Sequence, residues 1–299
     1  MKRRIILGSL LVVGTLSIAV AQQAPQPSAE GLMVTKLKDN LYVLKGGGGN
    51  TSVFITGAGV VVVDSKNPGW GQPILDKIKT LTDKPVTTLI NTHTHGDHVS
   101  GNVDFPATVD IVVQENTKTN MEKMDIFKQN NNRGMAKRTF KTKMTIGKGA
   151  DRVDLYYFGP GHTNGDAIIV FPAHRTAHLG DLFAGKGLPL VDGNNGGSVL
   201  HYPDTLNKVH RGIKNVDTII NGHMPNQTTW ADLKTFAEFN RDFLTWAQSA
   251  VKSGKTPEDA AKDWKTPEKY TALGYSPTVS TTFGGVAGRL QRLAAETKK

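Results

Sequence analysis

The chain has 299 residues, 38% of them hydrophobic and 21% charged, with a formal net charge of +10. This is ordinary globular composition, long enough for a full core, and it excludes a disordered, collagen-like or multi-span membrane protein. There is no cysteine, which removes disulfide scaffolds, thiolate zinc sites, iron–sulfur clusters and cysteine nucleophiles, so any metal has to be held by His, Asp or Glu.

Lys2, Arg3 and Arg4 precede an apolar run from Ile5 to Ala19, and Ala19-Val20-Ala21 has the small-x-small pattern of a signal-peptidase site. Residues 1–21 are therefore read as a signal peptide, 22–30 as a polar leader, and 31–299 as one domain with a helical C-terminal tail. The expected location is periplasmic or secreted, with no stable membrane anchor after cleavage. An uncleaved anchor is the alternative, because the run is near the ~18-residue minimum for spanning a bilayer. Without the leader, 33 basic residues face 26 acidic ones, and ten of the Lys and Arg lie between Lys118 and Arg152. This segment reads as a solvated basic face, with attraction of an anionic substrate or nucleic acid as alternatives. Export weighs against nucleic acid.

Beyond the leader, Leu41–Leu44, Ser52–Ile55 and Val60–Val63 are short apolar runs separated by Gly46–Gly49 and Gly57–Gly59, which predicts three strands, the last ending at Asp64. Gly46–Gly49 with Asn50 reads as a hairpin turn or a flap over a site, and Trp70 as a packed aromatic or part of an entrance. The spacing of Ile74, Leu75, Ile78 and Leu81 predicts a helix over Pro73–Leu81. Val86–Ile90 reads as a buried strand running into Asn91-Thr92-His93, followed by a helix around Glu115–Gln129. Further strands are expected at Val153–Phe158, Ala167–Phe171, Ala177–Leu179 and Val216–Ile220, with a helix over Pro203–Ile213. Leu233, Phe236, Phe239, Phe243, Ala247 and Val251 step by three or four residues, a helical stripe that ends at Gly254. Thr256-Pro257 resembles a helix N-cap, and a last helix is expected from Val286 to Glu296.

The chemistry gathers at strand ends, where a rigid scaffold presents functional side chains. Thr92-His93-Thr94-His95-Gly96-Asp97-His98 packs three imidazoles and a carboxylate into six residues. Imidazole and carboxylate suit zinc, iron or manganese. Four donors on one loop exceed what a single tetrahedral ion with an open position needs from one segment. Gly96 is read as freeing the backbone to turn, with His93 and His95 on one metal and Asp97 and His98 on a neighbour. His162, Asp181 and His223 each follow a glycine at a strand end and are the expected completing ligands. His174, His178, His201 and His210 lack that context and read as surface or supporting groups.

The set His93-x-His95-x-Asp97-His98, then His162, Asp181 and His223, resembles the metallo-β-lactamase superfamily of metal-dependent hydrolases over about Val34 to Leu244. The resemblance implies an α/β (α+β) fold, an αββα sandwich of two mixed sheets with outer helices and the site at one sheet edge. It implies two divalent cations, zinc first with manganese or iron as alternatives. His93, His95 and His162 would hold the first, Asp97, His98 and His223 the second, and Asp181 would bridge them. Asp64 would prop the metal loop without being a ligand. Aspartate at 181 is similar to hydroxyacylglutathione hydrolases, lactonases and phosphodiesterase relatives, whereas the best-known zinc β-lactamases carry Cys or Ser there. The stretches Gly180–Gly187 and Asn194–Ser198 resemble a group of exported bacterial hydrolases.

The expected reaction is hydrolysis of a small-molecule carbonyl substrate (ester, lactone, thioester or amide, with β-lactam cleavage as a side activity) by a metal-bridging hydroxide. Asp97 is the expected catalytic residue, orienting the nucleophile and relaying its proton. Lys186, five residues beyond Asp181, reads as an anchor for a substrate anion or as an exposed loop lysine. The alternatives are a phosphodiesterase or nuclease, favoured by the basic segment, and a metal-binding envelope protein with little turnover. Nothing in the sequence specifies an oligomeric state.

Overall fold

The computed structural model describes residues 26–298; the expected signal peptide lies outside the described residues. Among these, the chain forms two mixed sheets packed face to face with helices on both outer faces. The first sheet has the order β1 (Met33–Lys38), β2 (Leu41–Lys45), β3 (Thr51–Ile55), β4 (Val60–Val63), β5 (Val86–Ile90), β6 (Asp110–Gln114) and β7 (Arg138–Phe140). The second runs β13 (Thr228–Thr229), β12 (Thr218–Asn221), β11 (Thr176–Gly180), β10 (Ile168–Phe171), β9 (Val153–Tyr156) and β8 (Lys143–Ile146).

The alternation of side chains along each strand explains the layering. In β4, Val60 and Val62 face an outer helix layer, whereas Val61 and Val63 face the opposite sheet. In β10, Ile168 and Val170 face the other helix layer, whereas Ile169 and Phe171 meet the first sheet. Strands covered on both faces have no polar side to show, which is why they read as continuous apolar runs. The outer layers are α1 (Gly71–Lys79), α2 (Gly96–Val99), α3 (Glu115–Met121) and α4 (Asp125–Gln129) on the first half, then α5 (Tyr202–Gly212), α6 (Trp230–Lys252), α7 (Pro257–Ala261), α8 (Glu268–Thr271) and α9 (Gly285–Thr297) on the second. The stripe on α6 is buried at Leu233, Phe236, Phe239, Phe243 and Ala247. Thr229 and Asp232 close its N-terminus as a capping box, and Thr256 caps α7.

Two expectations are corrected. The helix over Glu115–Gln129 is two short helices with Met124 in extended conformation between them. Each of the two buries one apolar side chain in the core, Met121 and Phe127, and polar contacts fix the first as well, Thr117 Oγ1 donating to Gly165 O and Asn120 Nδ2 to Asn164 Oδ1. Gly96 is not a left-handed pivot. It opens the one-turn helix α2, so the motif turns by helical geometry.

Topology sets the site. β4–β5 and β11–β12 are the parallel pairs beside the sheet edges that matter, so within each pair both carboxyl ends emerge at the same edge. Asp64 follows β4 and the His93–His98 loop follows β5, while Asp181 and His223 follow β11 and β12. Asn50 ties the two edges together: its backbone N–H donates to Gly222 O at 2.7 Å, and its Nδ2 donates to Asn221 O at 2.9 Å and Met224 O at 2.8 Å.

Candidate metal centre

All seven predicted donors lie in one cluster. His93, His95, His162 and Asp181 form one set, and Asp97, His98 and His223 another, with the donor atoms of each set within 4.8 Å of one another. Asp181 turns one oxygen to each. Oδ2 is 3.7 Å from His162 Nε2 and 4.0 Å from His93 Nε2, whereas Oδ1 is 3.3 Å from both His98 Nε2 and His223 Nε2. Gly222 permits this approach, because a Cβ there would overlap Asp181 Oδ1. Gly49 does the same beside the His98 ring, so the Gly46–Gly49 turn lies against the site, and its Gly49 N–H donates to Asp97 O at 3.0 Å.

The outer nitrogens of four imidazoles are held by acceptors. His162 Nδ1 donates to Leu190 O at 3.0 Å, and His98 Nδ1 to Asp64 Oδ2 at 2.7 Å. His95 Nε2 donates to Asp192 Oδ2 at 2.8 Å. His93 Nδ1 donates to Thr92 Oγ1 at 3.0 Å, and that hydroxyl passes its own proton to Asp64 Oδ2 at 2.7 Å. Such outer contacts fix the tautomer of a metal-binding histidine and leave its inner nitrogen with a free lone pair. Here the inner nitrogens converge. His95 Nδ1 and His162 Nε2 are 2.8 Å apart, a contact between two lone pairs that calls for a cation between them. Burial lowers the His162 pKa to about 4 and pushes that of His93 well below the ordinary imidazole value, so neither ring readily supplies the charge as a proton. His93 Nε2 and Asp181 Oδ1 are buried without a hydrogen-bond partner, which is costly unless something binds them.

The second set attracts positive charge still more strongly. Burial would keep His98 neutral, but Asp181 and Asp64 outweigh it and hold its pKa well above the usual value. His223 is likewise pushed up to about 9, the pull of the Asp181 and Asp97 carboxylates 3.3 and 3.2 Å away overcoming burial. Asp97 stays ionised, its burial outweighed by His223 and His98. The donor set therefore fits divalent cations bound by nitrogen and oxygen.

Asp64, at the end of β4, occupies the propping position. It is fully buried and also accepts from Thr92 N at 2.8 Å. Lys186 does not present a free charge: its Nζ is 2.9 Å from Asp232 Oδ1. It borders a groove of about 320 Å³ that opens beside His223. Trp70 is packed at 6% exposure. Of the four unassigned histidines, His178 is buried, with Nδ1 2.8 Å from Ser52 Oγ across the two sheets. Sequence reasoning missed Asp192 and the supporting role of Thr92, and it read Asn50 as part of a turn or flap without its tie to the second sheet. Asp192 carried a usable signal, an acidic residue opening the turn Gly193-Asn194-Asn195, where its Oδ1 accepts from Asn194 N at 2.9 Å.

The family model of the metallo-beta-lactamase superfamily matches residues 44–223. The chain is 26% identical over 251 residues to a metallo-beta-lactamase type 2 of Elizabethkingia meningoseptica, covering 79% of this chain and 92% of that one. It is 29% identical over 154 residues to a hydroxyacylglutathione hydrolase of Crocosphaera subtropica, 50% of each chain. A solved metallo-beta-lactamase from Pontibacter korlensis superposes with a TM-score of 0.60 at 20% identity, covering 70% of this chain and 99% of that one. With sheets, strand-end donors and matched segment in agreement, the chain belongs to the metallo-beta-lactamase superfamily, and its relatives are metal-dependent hydrolases.

Proposed function

We propose that the chain is an exported dinuclear metal-dependent hydrolase of a small-molecule carbonyl substrate: an ester, lactone, thioester or amide. The observation that carries the reading is the convergence of inner imidazole lone pairs on Asp181, with the outer nitrogens of four rings tied to acceptors. Cations held there, zinc by the chemistry of the donors, would polarise the scissile carbonyl and acidify the attacking water. The rest is done by the chain's own groups. Asp97 is partly exposed and ionised beside His223 at 3.2 Å, which supports assigning its carboxylate the role of accepting a proton and returning it to the leaving group. His93, His95, His98 and His162 hold their tautomers, so the site needs little rearrangement on binding. Asp181 keeps both oxygens turned inward.

Two observations favour a carbonyl substrate over a phosphodiester. The relatives are named for a lactam and for a hydroxyacyl glutathione, both acyl compounds. Among the described residues lining the groove beside His223, Lys186 is the one ammonium, and Asp232 neutralises it, which leaves little to attract a phosphate. Within the basic segment, Lys128, Arg138 and Arg152 are likewise paired, with Asp125, Asp110 and Asp154.

The test is hydrolysis by residues 22–299 of an aryl ester, a lactone, a thioester, a β-lactam and a phosphodiester, after zinc loading and after chelation. Zinc-dependent turnover of an acyl substrate, lost together with bound zinc in Asp181→Ala, is the expected result. A phosphodiester turned over faster than every acyl compound would overturn it. A protein that holds two zinc ions and hydrolyses none of the panel would point to a metal-binding role instead.

A further inference from the structure

The family match ends at residue 223, yet the chain beyond it returns to the metal centre. Phe283 lies in the short turn Thr282–Gly284 that leads into α9, and its ring stacks on His95 at 5.9 Å between centroids and 29° between planes. It is 44% exposed, and its backbone has φ 53 and ψ 34. A large apolar side chain on left-handed backbone, open to solvent beside a candidate ligand, costs conformational energy and leaves apolar surface wet. The segment is held in place from below. Arg289 is buried and donates to Pro189 O and Gly285 O, while Glu296 accepts from Ser198 Oγ at 3.0 Å and Leu200 N at 2.9 Å. The loop so clamped, 188–200, carries both Leu190 O, which holds His162, and Asp192, which holds His95.

The same segment borders the groove beside His223. Its apolar lining is Leu188, Pro189, Leu190, Met224 and Pro225, and Ser280, three residues before Phe283, joins it from the C-terminal segment. The volume, about 320 Å³, is at the lower end of small-molecule pockets. Its ammonium is already neutralised by Asp232, so what remains for a ligand is apolar wall a short distance from the reacting centre.

Resting on the carbonyl-hydrolase reading above, we propose that this groove and Phe283 form an acyl pocket, so that the preferred substrates carry a medium-length aliphatic or aryl group on the carbonyl. Phe283 is then a specificity-determining residue. It packs on the chain of the substrate as that chain leaves the metal centre, and it takes no part in bond making.

The test compares octanohydroxamic with acetohydroxamic acid, binding to the zinc-loaded protein by calorimetry, alongside turnover of 4-nitrophenyl octanoate and acetate. The variants are Phe283→Ala, Phe283→Leu and Met224→Ser, each checked for bound zinc and thermal midpoint. The expected result is about tenfold or more tighter binding of the octanoyl compound by the unaltered protein, which is the scale of burying part of an alkyl chain. That advantage should fall about tenfold in Phe283→Ala and Met224→Ser and survive in Phe283→Leu, with zinc content and acetohydroxamate affinity unchanged. Affinity independent of chain length would overturn the proposal. So would a chain-length advantage untouched by both Phe283→Ala and Met224→Ser, or an equal loss for the two hydroxamates. If the binding advantage behaves as expected and neither these esters nor any acyl compound of the panel above is turned over, the pocket stands and the hydrolase reading fails.

Discussion

Asp64→Asn changes the charge beneath the metal centre and leaves the backbone nearly undisturbed. Asp64 is fully buried at φ 66, and asparagine is among the few residues that accept left-handed backbone as readily as aspartate. The carboxylate accepts from Thr92 N at 2.8 Å, Thr92 Oγ1 at 2.7 Å and His98 Nδ1 at 2.7 Å. An amide can keep the first of these with its oxygen, but its NH₂ then faces two donors. Two hydrogen bonds to a charged group are lost, at about 1.5–3 kcal/mol each, or roughly 3–6 kcal/mol together. Both histidines feel the change. The Thr92 hydroxyl no longer has Asp64 to donate to while it accepts from His93 Nδ1. His98 escapes the clash by moving its proton to Nε2, the nitrogen that faces Asp181 Oδ1, and so withdraws its lone pair from the second set. The expected outcome is a 10–100-fold weaker second metal site, the usual cost of losing a partner behind a ligand. The metal-free protein should melt at least about 6 °C lower, taking the smaller energy and a chain of this size. The assay is bound zinc per chain across a graded zinc buffer, paired with a thermal melt in chelator. A variant that retains two zinc ions at unchanged affinity and melts with the parent would refute the reasoning.

Asn50→Ala leaves the carbonyls of Asn221 and Met224 without their donor, at about 1–3 kcal/mol each. It should loosen the turn that carries His223, so zinc titration should show the second site weakened while the first is retained. Gly222→Ala forces a Cβ onto Asp181 Oδ1 and should lose metal and turnover together; metal analysis showing full occupancy would contradict the close packing described. Lys66 is buried, donating to Leu44 O at 3.0 Å and Gly49 O at 2.7 Å, and burial lowers its pKa to about 7 against the pull of Asp64 and Asp97. Between pH 7 and 10.5 the unfolded chain therefore binds the extra proton, so the stability of the chelated protein should rise with pH across that window, by roughly 5 kcal/mol in full. Lys66→Met should flatten the rise, and denaturant titrations at pH 7 and pH 10 that climb equally in both proteins would remove Lys66 from the account.

What could be read from the sequence follows from what is local. Most of the buried strands announced themselves as apolar runs, and α6 by its stripe, because each covers its own faces with its own residues; β6, with Ile111, Val112 and Val113 buried, carried the same signal and was passed over. The strands that went unread were β1, β6, β7, β8 and β13. β1 and β8 alternate exposed with half-covered positions, β13 has two residues, and their strand character comes from pairing with a neighbour, which no local pattern reveals. The donors were legible for a topological reason. Parallel pairing brings the carboxyl ends of β4 with β5, and of β11 with β12, to common edges, so the donors after β5, β11 and β12 sit just past a strand, where a reader looks; His162 lies six residues beyond its strand, the antiparallel β9.

Their supports obey no such rule. A group that fixes an imidazole needs only to offer one acceptor at the right spot, and the structure uses a carboxylate 34 residues away for His98, one 97 residues away for His95, a neighbouring hydroxyl for His93 and a backbone carbonyl for His162. The carbonyl of Leu190 has no signature in any sequence. Asp192 and Leu190 both stand on the loop that Arg289 and Glu296 clamp from the C-terminal helix, so the tautomers of two candidate ligands depend on a part of the chain outside the family match. The ligand set alone therefore does not fix how tightly a metal would be held here. Helix α9 contributes to it through Arg289 and Glu296, and disturbing its anchor should weaken the first site, through His95 and His162, before it reaches the second.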